Sequence, residues 1–428
     1  NMGWAAHFSE PLDEAAWRRA VQHVTDAEPA LRTAFVGCQS PLADVAYQVV
    51  FRARRADVEL IDLSAQPLGD EALSQRLRAI VHAPYDISRD PLIRHVAIKL
   101  HGGGHVRVEA FHHLLLDGVS GTVLAHKLFD AYEALRAGQE AQTTPGPFVD
   151  FIEHSRADSD RRDSLDFWRA ALASTEALEL PSSDAADGPV VTDEAAIDAA
   201  LWAQLQRFAR AQRVTPALLL KCLYGLLLSR YVRSAPDFWV LEFASGRTRV
   251  HERSLGCFYS QLPFVFRGEV LQPTASLGEL LTHAREFQRR VRDHRQLSIG
   301  AQARLLPAGR LACLFNFYHF VPNRGDLRSE PDRNEIFPPP IEGSLNFVVQ
   351  AIEDGLVLTL GYPRGAFDAF GFLDSFVALC RQVVDGNEAT CLGDLHVLSD
   401  AERALQLVQS TGAVVPVSAG CVHELIEA

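Results

Sequence analysis

Four hundred and twenty-eight residues, 47% of them apolar, suffice for two or three domains of ~150 residues with sizeable cores. Lys and Arg number 41 against 54 Asp and Glu, a net charge of −13 with no long basic run, which disfavours a nucleic-acid partner. Seven scattered cysteines without a CxxC pair argue against both a disulfide framework and a zinc site, and fit a reducing, cytoplasmic setting.

In chain order, residues 11–26 read as a helix with Leu12, Trp17, Ala20, Val21 and Val24 on one stripe. Strand-like runs follow at 45–51 and 58–63, then a helix at 71–82. Two β-rich runs, 91–100 and 105–111, flank His101-Gly102-Gly103-Gly104, the composition of a hairpin turn. Beyond Gly118, Val123, Leu124, Leu128, Ala131, Tyr132 and Leu135 repeat at helical spacing until Gly138, a natural C-cap. Polar, Pro- and Gly-containing stretches between 140 and 190 mark a boundary between two halves.

The second half opens with helices predicted at 197–211 and 215–233. Within the latter, 216–231 is the most apolar run of the chain; it is too short to span a bilayer and carries Lys221 and Arg230. With no signal peptide at the N-terminus, no membrane partner is expected, and the run reads as a buried helix. Strands are predicted at 238–243, 344–352 and 356–362, and a helix at 372–385 ending on Gly386. Ser399-Asp400-Ala401-Glu402 is a capping box opening a short helix, followed by a small-residue linker at 410–420.

Chemistry concentrates in His112-His113-Leu114-Leu115-Leu116-Asp117-Gly118, where a strand runs through a short loop into a helix. A neutral imidazole at a strand end can orient an attacking nucleophile or accept its proton. The same pair can be purely structural. A metal site would need a third ligand, which the neighbouring sequence does not offer, so no metal is expected. No GxSxG elbow occurs, and Ser120 reads as a residue of the helix N-terminus.

The HHxxxDG run resembles the signature of the condensation domains of nonribosomal peptide synthetases, within the chloramphenicol-acetyltransferase-like superfamily. Other elements resemble that family in the same order. They are residues 28–35 (EPALRTAF), 84–94 (PYDISRDPLIR), 148–151 (FVDF), Ser245-Gly246-Arg247, Leu255-Gly256-Cys257-Phe258 and Phe315-Asn316. Residues 398–403 and 422–427 resemble the joint to a following adenylation domain.

The resemblance implies an α/β fold: two acetyltransferase-like α+β sandwich lobes (1–160 and 161–409) in a V-shaped pseudodimer, then 410–428 as linker and start of an adenylation domain. It implies an acyltransferase that joins a donor acyl thioester to the amine of a carrier-bound aminoacyl thioester. The domain itself binds no cofactor, and its substrates arrive as 4'-phosphopantetheine thioesters. The implied partners are an acceptor peptidyl carrier domain, a donor acyl or peptidyl carrier protein or acyl-CoA, and the downstream adenylation domain.

By the same resemblance His113 orients or deprotonates the amine, His112 packs, Asp117 pairs with Arg247 across the lobes, Gly118 lines the tunnel, and Asn346 and Ser260 face the substrate channel. Two departures stand out: Ser260 occupies the usual asparagine position, and Glu28-Pro29 replaces a His-Glu pair. They suggest a starter-type domain that N-acylates the first amino acid; an internal peptidyl or aminoacyl condensation domain and an inactive carrier-docking module are the alternatives.

Overall fold

The computed structural model describes residues 1–37, 47–159, 161–176, 178, 189–231, 237–295, 304–306, 312–318, 329, 334–337, 344–365, 369, 371–396, 398 and 400–410. The Ser399 cap, nearly all of the linker and the adenylation-like tail lie outside them.

A five-stranded sheet is built from β1 (Met2–Phe8), β4 (Val58–Asp62), β5 (Ile93–Lys99), β6 (His105–Phe111) and β11 (Glu335–Phe337), in the order β11-β1-β6-β5-β4. Side chains alternate across it and both faces are covered. Trp4, Ile93, Ala97 and Phe111 pack under α1 (Glu14–Ala27) and α3 (Gly118–Arg136), whereas Ala5, Val96, Ile98, Val106, Val108 and Ala110 pack under α2 (Asp70–His82). Asp13 caps α1 by accepting from Ala16 N at 2.9 Å, so Pro11 and Leu12 precede the helix. The hairpin expected at 101–104 joins β5 to β6, with Gly102 and Gly103 at positive φ. β11 comes from the second half of the chain: Gly3 pairs with Phe337, and Ser74 Oγ donates to Glu335 at 2.6 Å.

The second sheet, in the order β7-β13-β12-β10-β8-β9, uses β7 (Val190–Asp198), β8 (Phe238–Ser245), β9 (Tyr259–Phe266), β10 (Ala312–Tyr318), β12 (Ser344–Ile352) and β13 (Gly355–Pro363). One face is packed by α6 (Ala199–Ala211), α7 (Pro216–Tyr231), α8 (Leu277–Val291) and α9 (Phe372–Asp385). α7 is buried all round from Leu218 to Ser229, as its strongly apolar run predicts. Lys221 within it is buried too, paired with Glu242 and lying 3.9 Å from the centre of the Phe264 ring. The predicted start of a helix at 197 is two residues early: Ile197 is the penultimate residue of β7, and Asp198 caps α6 by accepting from Leu201 N at 2.8 Å.

β2 (Thr33–Val36) and β3 (Tyr47–Val50) form a separate ribbon. α4 (Phe148–Ser159) and α5 (Arg162–Leu172) connect the two halves, and α10 (Asp400–Ser410) ends the described chain.

Candidate active site

β6 delivers the motif. As the strand ends, His112 N still donates to Leu92 O at 2.9 Å, and the chain then turns, Leu115 N donating to His112 O at 2.9 Å. His112 Nδ1 accepts from Leu114 N at 3.1 Å, which places the proton of the neutral ring on Nε2. Its ring meets Tyr85 edge-on, so His112 braces the turn.

His113 points the other way. Its half-buried imidazole lies against the ring of Tyr259, at the start of β9, with centroids 4.7 Å apart. Burial lowers its pKa below the ordinary histidine value; nearby carbonyls and the Asp117 carboxylate oppose the shift without reversing it. The ring is therefore neutral at pH 7 and able to accept a proton.

Beneath His113 a buried polar knot joins the two halves. Asp117 is the N-cap of α3: its Oδ1 accepts from Ser120 N at 2.6 Å and from Arg247 Nη2 at 3.2 Å, and its Oδ2 accepts from Phe258 N at 2.9 Å. Asp117 N donates to Gly256 O at 3.2 Å. Arg247 Nη1 donates to the carbonyls of His251 and Ser254 at 2.7 and 3.0 Å, and its guanidinium lies 4.0 Å from the centre of the Phe258 ring.

Ser120, read from the sequence only as a residue of the helix start, is a full member of the knot. Its Oγ donates to Gly256 O and accepts from Gly256 N and Arg247. A Cβ at Gly256 would overlap the Phe148 ring, which explains why a glycine follows Leu255; Phe148 and Phe151 stack on each other and both pack against Phe258.

Gly118 is the first residue of α3, between Asp117 and the helix body. Ser260 and Asn346 lie farther off. Tyr259 and Ser260 are consecutive strand residues, so their side chains leave opposite faces; with Tyr259 on His113, Ser260 turns away, its Oγ 3.5 Å from Arg295 O. Asn346 shares the Tyr259 face but sits three strands away, on β12, with its buried Oδ1 lacking a hydrogen-bond partner. Cys257, beside the knot, has its thiol pushed up to about 12 by burial, so it is not a thiolate nucleophile. Among the described residues no three His, Cys, Asp or Glu side chains gather to hold a metal, and no helix is long and apolar enough to cross a membrane.

The comparisons with known proteins agree with one another. The condensation-domain family model matches residues 1–406. A linear gramicidin synthase from Brevibacillus parabrevis is 26% identical over 97% of this chain and 8% of its own length. The chain spans 4–10% of the length of the curated relatives it matches.

Among solved structures, the X-domain from teicoplanin biosynthesis superposes with a TM-score of 0.77 at 22% identity, covering 92% of each chain. The first condensation domain of the calcium-dependent antibiotic synthetase, in complex with a substrate analogue, superposes with a TM-score of 0.74 at 18% identity, covering 93% of this chain and 94% of that one. The mixed α/β architecture is thus the condensation-domain fold, and the chain belongs to the condensation-domain family of nonribosomal peptide synthetases.

Proposed function

We propose that this domain forms an amide bond between a donor acyl thioester and the amine of a carrier-bound aminoacyl thioester. The amine nitrogen attacks the donor carbonyl, the C–N bond forms as the C–S bond breaks, and the amine proton passes by way of His113 to the departing thiolate. The observation that carries this reading is the placement of His113: a neutral, half-buried imidazole whose loop is anchored at both ends, by strand β6 and by the Asp117–Arg247–Ser120 knot. Anchoring the loop holds the reacting groups in register, and proton handling adds a smaller share of the rate.

Within this reading the substrates arrive on 4'-phosphopantetheine arms and the domain needs no cofactor of its own. Its partners are an acceptor peptidyl carrier domain, a donor carrier protein or acyl-CoA, and a downstream adenylation domain in the same cytoplasmic polypeptide. The Ser260 and Glu28-Pro29 departures support a starter-type role, N-acylating the first amino acid. Asn346, with its unpartnered Oδ1 on the Tyr259 face, is the proposed substrate-channel contact.

The test is a purified domain mixed with a donor acyl thioester and a loaded acceptor carrier, with amide product read by mass spectrometry. Product from the native protein and its loss in His113→Ala support the reading. A carrier complex that persists with no product from either protein supports the docking module instead.

A further inference from the structure

Three aromatic residues outside the motif share one face of the second sheet. Tyr259 pairs with Ser245 in the β8–β9 ladder, and Phe243, two residues before Ser245, leaves the same face; the Tyr259 and Phe243 rings lie 5.5 Å apart. Leu241 pairs with Leu314 in the β8–β10 ladder, which puts Tyr318, four residues beyond Leu314, on that face as well. Tyr318 accepts from Asn316 Nδ2 at 2.9 Å. The opposite face carries the fully buried Val240, Phe264 and Phe347 under the helices, whereas these three rings remain half-buried. They extend from His113 outward: Tyr259 touches it, Phe243 comes next, and Tyr318 stands on the following strand.

We propose that Tyr259, Phe243 and Tyr318 form a subsite that receives a large aromatic or apolar side chain of the aminoacyl substrate. The inference rests on the amide-forming reading above, in which the amine lies within hydrogen-bond reach of the His113 imidazole, ~3 Å. The substrate α-carbon is one bond from that amine and its side chain two, so the side chain of a substrate held by His113 falls within contact distance of the ring already packed on His113. Three half-buried rings offer offset-stacked and edge contacts to a planar group, and apolar area to an aliphatic one. A substrate with no side chain would leave them in water.

Two unreactive pantetheine thioethers decide the matter by calorimetry, one bearing an aminoethyl group with a benzyl side chain and the other the same group without it. The benzyl probe is expected to bind the native domain roughly tenfold more tightly, and Phe243→Ala is expected to remove most of that difference. Equal binding of the two probes to the native domain, or no binding of either, overturns the subsite. So does a benzyl preference that survives in a folded Phe243→Ala. Amide formation in the carrier assay is a separate readout: product without a benzyl preference discards the subsite alone, and absence of product with any substrate discards the reading on which it rests.

Discussion

Asp117 and Arg247 lie 130 positions apart in sequence and meet at 3.2 Å, each with a side chain less than a tenth exposed. A buried pair of this kind stabilises little relative to an apolar replacement, but removing one partner strands the other charge. Arg247→Ala should therefore lower stability by ~3–5 kcal/mol. Asp117→Asn, which keeps the shape and one acceptor oxygen, should cost less. Urea unfolding of both variants and of the pair together checks this: the double variant should cost less than the sum. An Arg247→Ala protein as stable as the parent would show that the knot does not hold the halves together.

Ser120→Ala isolates the third member of that knot. It leaves the amide and carbonyl of Gly256 and one Arg247 contact without the hydroxyl, in a site with no access to water. The expected loss is about 1–3 kcal/mol by urea unfolding, and Ser120→Thr should be worse than a conservative exchange ordinarily is, because Ser120 is fully buried.

How much of this was legible beforehand varies with the kind of signal. The glycine hairpin at 101–104, the Gly138 stop of α3, the apolar α7 and the alternating β12 and β13 are local patterns, and each was readable as such. β7 was not, because its VVTDEAA run lies on the edge of the sheet and only Ile197 is buried. α8 carries a local signal of its own, since Ser276 and Glu279 make a complete capping box at its start. The Asp117–Arg247 pairing was available only through resemblance, since no local pattern links positions that distant. Ser120, buried by contacts from the other half of the chain, had no sequence signal beyond its place near Asp117.

His113→Ala is expected to reduce amide formation by about 10²–10⁴-fold with little change in unfolding midpoint, since its imidazole is only half-buried and its Nδ1 has no hydrogen-bond partner. The pH profile should show the same group. Burial lowers the His113 pKa, so the reactive neutral form persists below the ordinary histidine range, and the rate should fall only when acidification reaches that lowered value. A rate that instead falls at an unperturbed histidine pKa, or one whose profile is unaltered in His113→Ala, would contradict a proton-handling role.

Glu28, one of the two departures noted in the sequence, is accounted for structurally. It is buried against Lys127 of α3, whose ammonium also donates to Thr144 O at 2.8 Å. Burial raises the Glu28 pKa, and Lys127 holds it back. In Lys127→Met that restraint is gone, so folded Glu28 keeps a proton that the unfolded chain releases. Stability then falls as pH rises above the ordinary carboxylate range. Lys127→Met should accordingly be more destabilised at pH 8 than at pH 5, measured by urea midpoints, and an equal loss at both would rule out Glu28 as the source.

A row of ionisable groups lies under α1 and α3, and is expected to govern how the stability of the first sheet responds to acid. Glu109 pairs with Trp4 and His95 across the ladders, and Arg107 and His105 follow on the same face. Burial holds His95 down to about 3 and His105 to about 4, and raises Glu109 to about 7. Between pH 6.5 and 4.5 the unfolded chain therefore binds protons at two histidines that the folded chain leaves neutral, while folded Glu109 holds a proton that the unfolded chain binds only near the ordinary carboxylate range. The net balance favours unfolding as pH falls, by about 1.4 kcal/mol per pH unit for each uncompensated proton. His95→Gln should flatten the slope of stability against pH by about one proton, and Glu109→Gln should steepen it by the same amount. Urea midpoints at pH 6.5, 5.5 and 4.5 give the three slopes, and a His95→Gln slope equal to the parent's would mean that His95 takes up its proton in the fold as readily as in the unfolded chain.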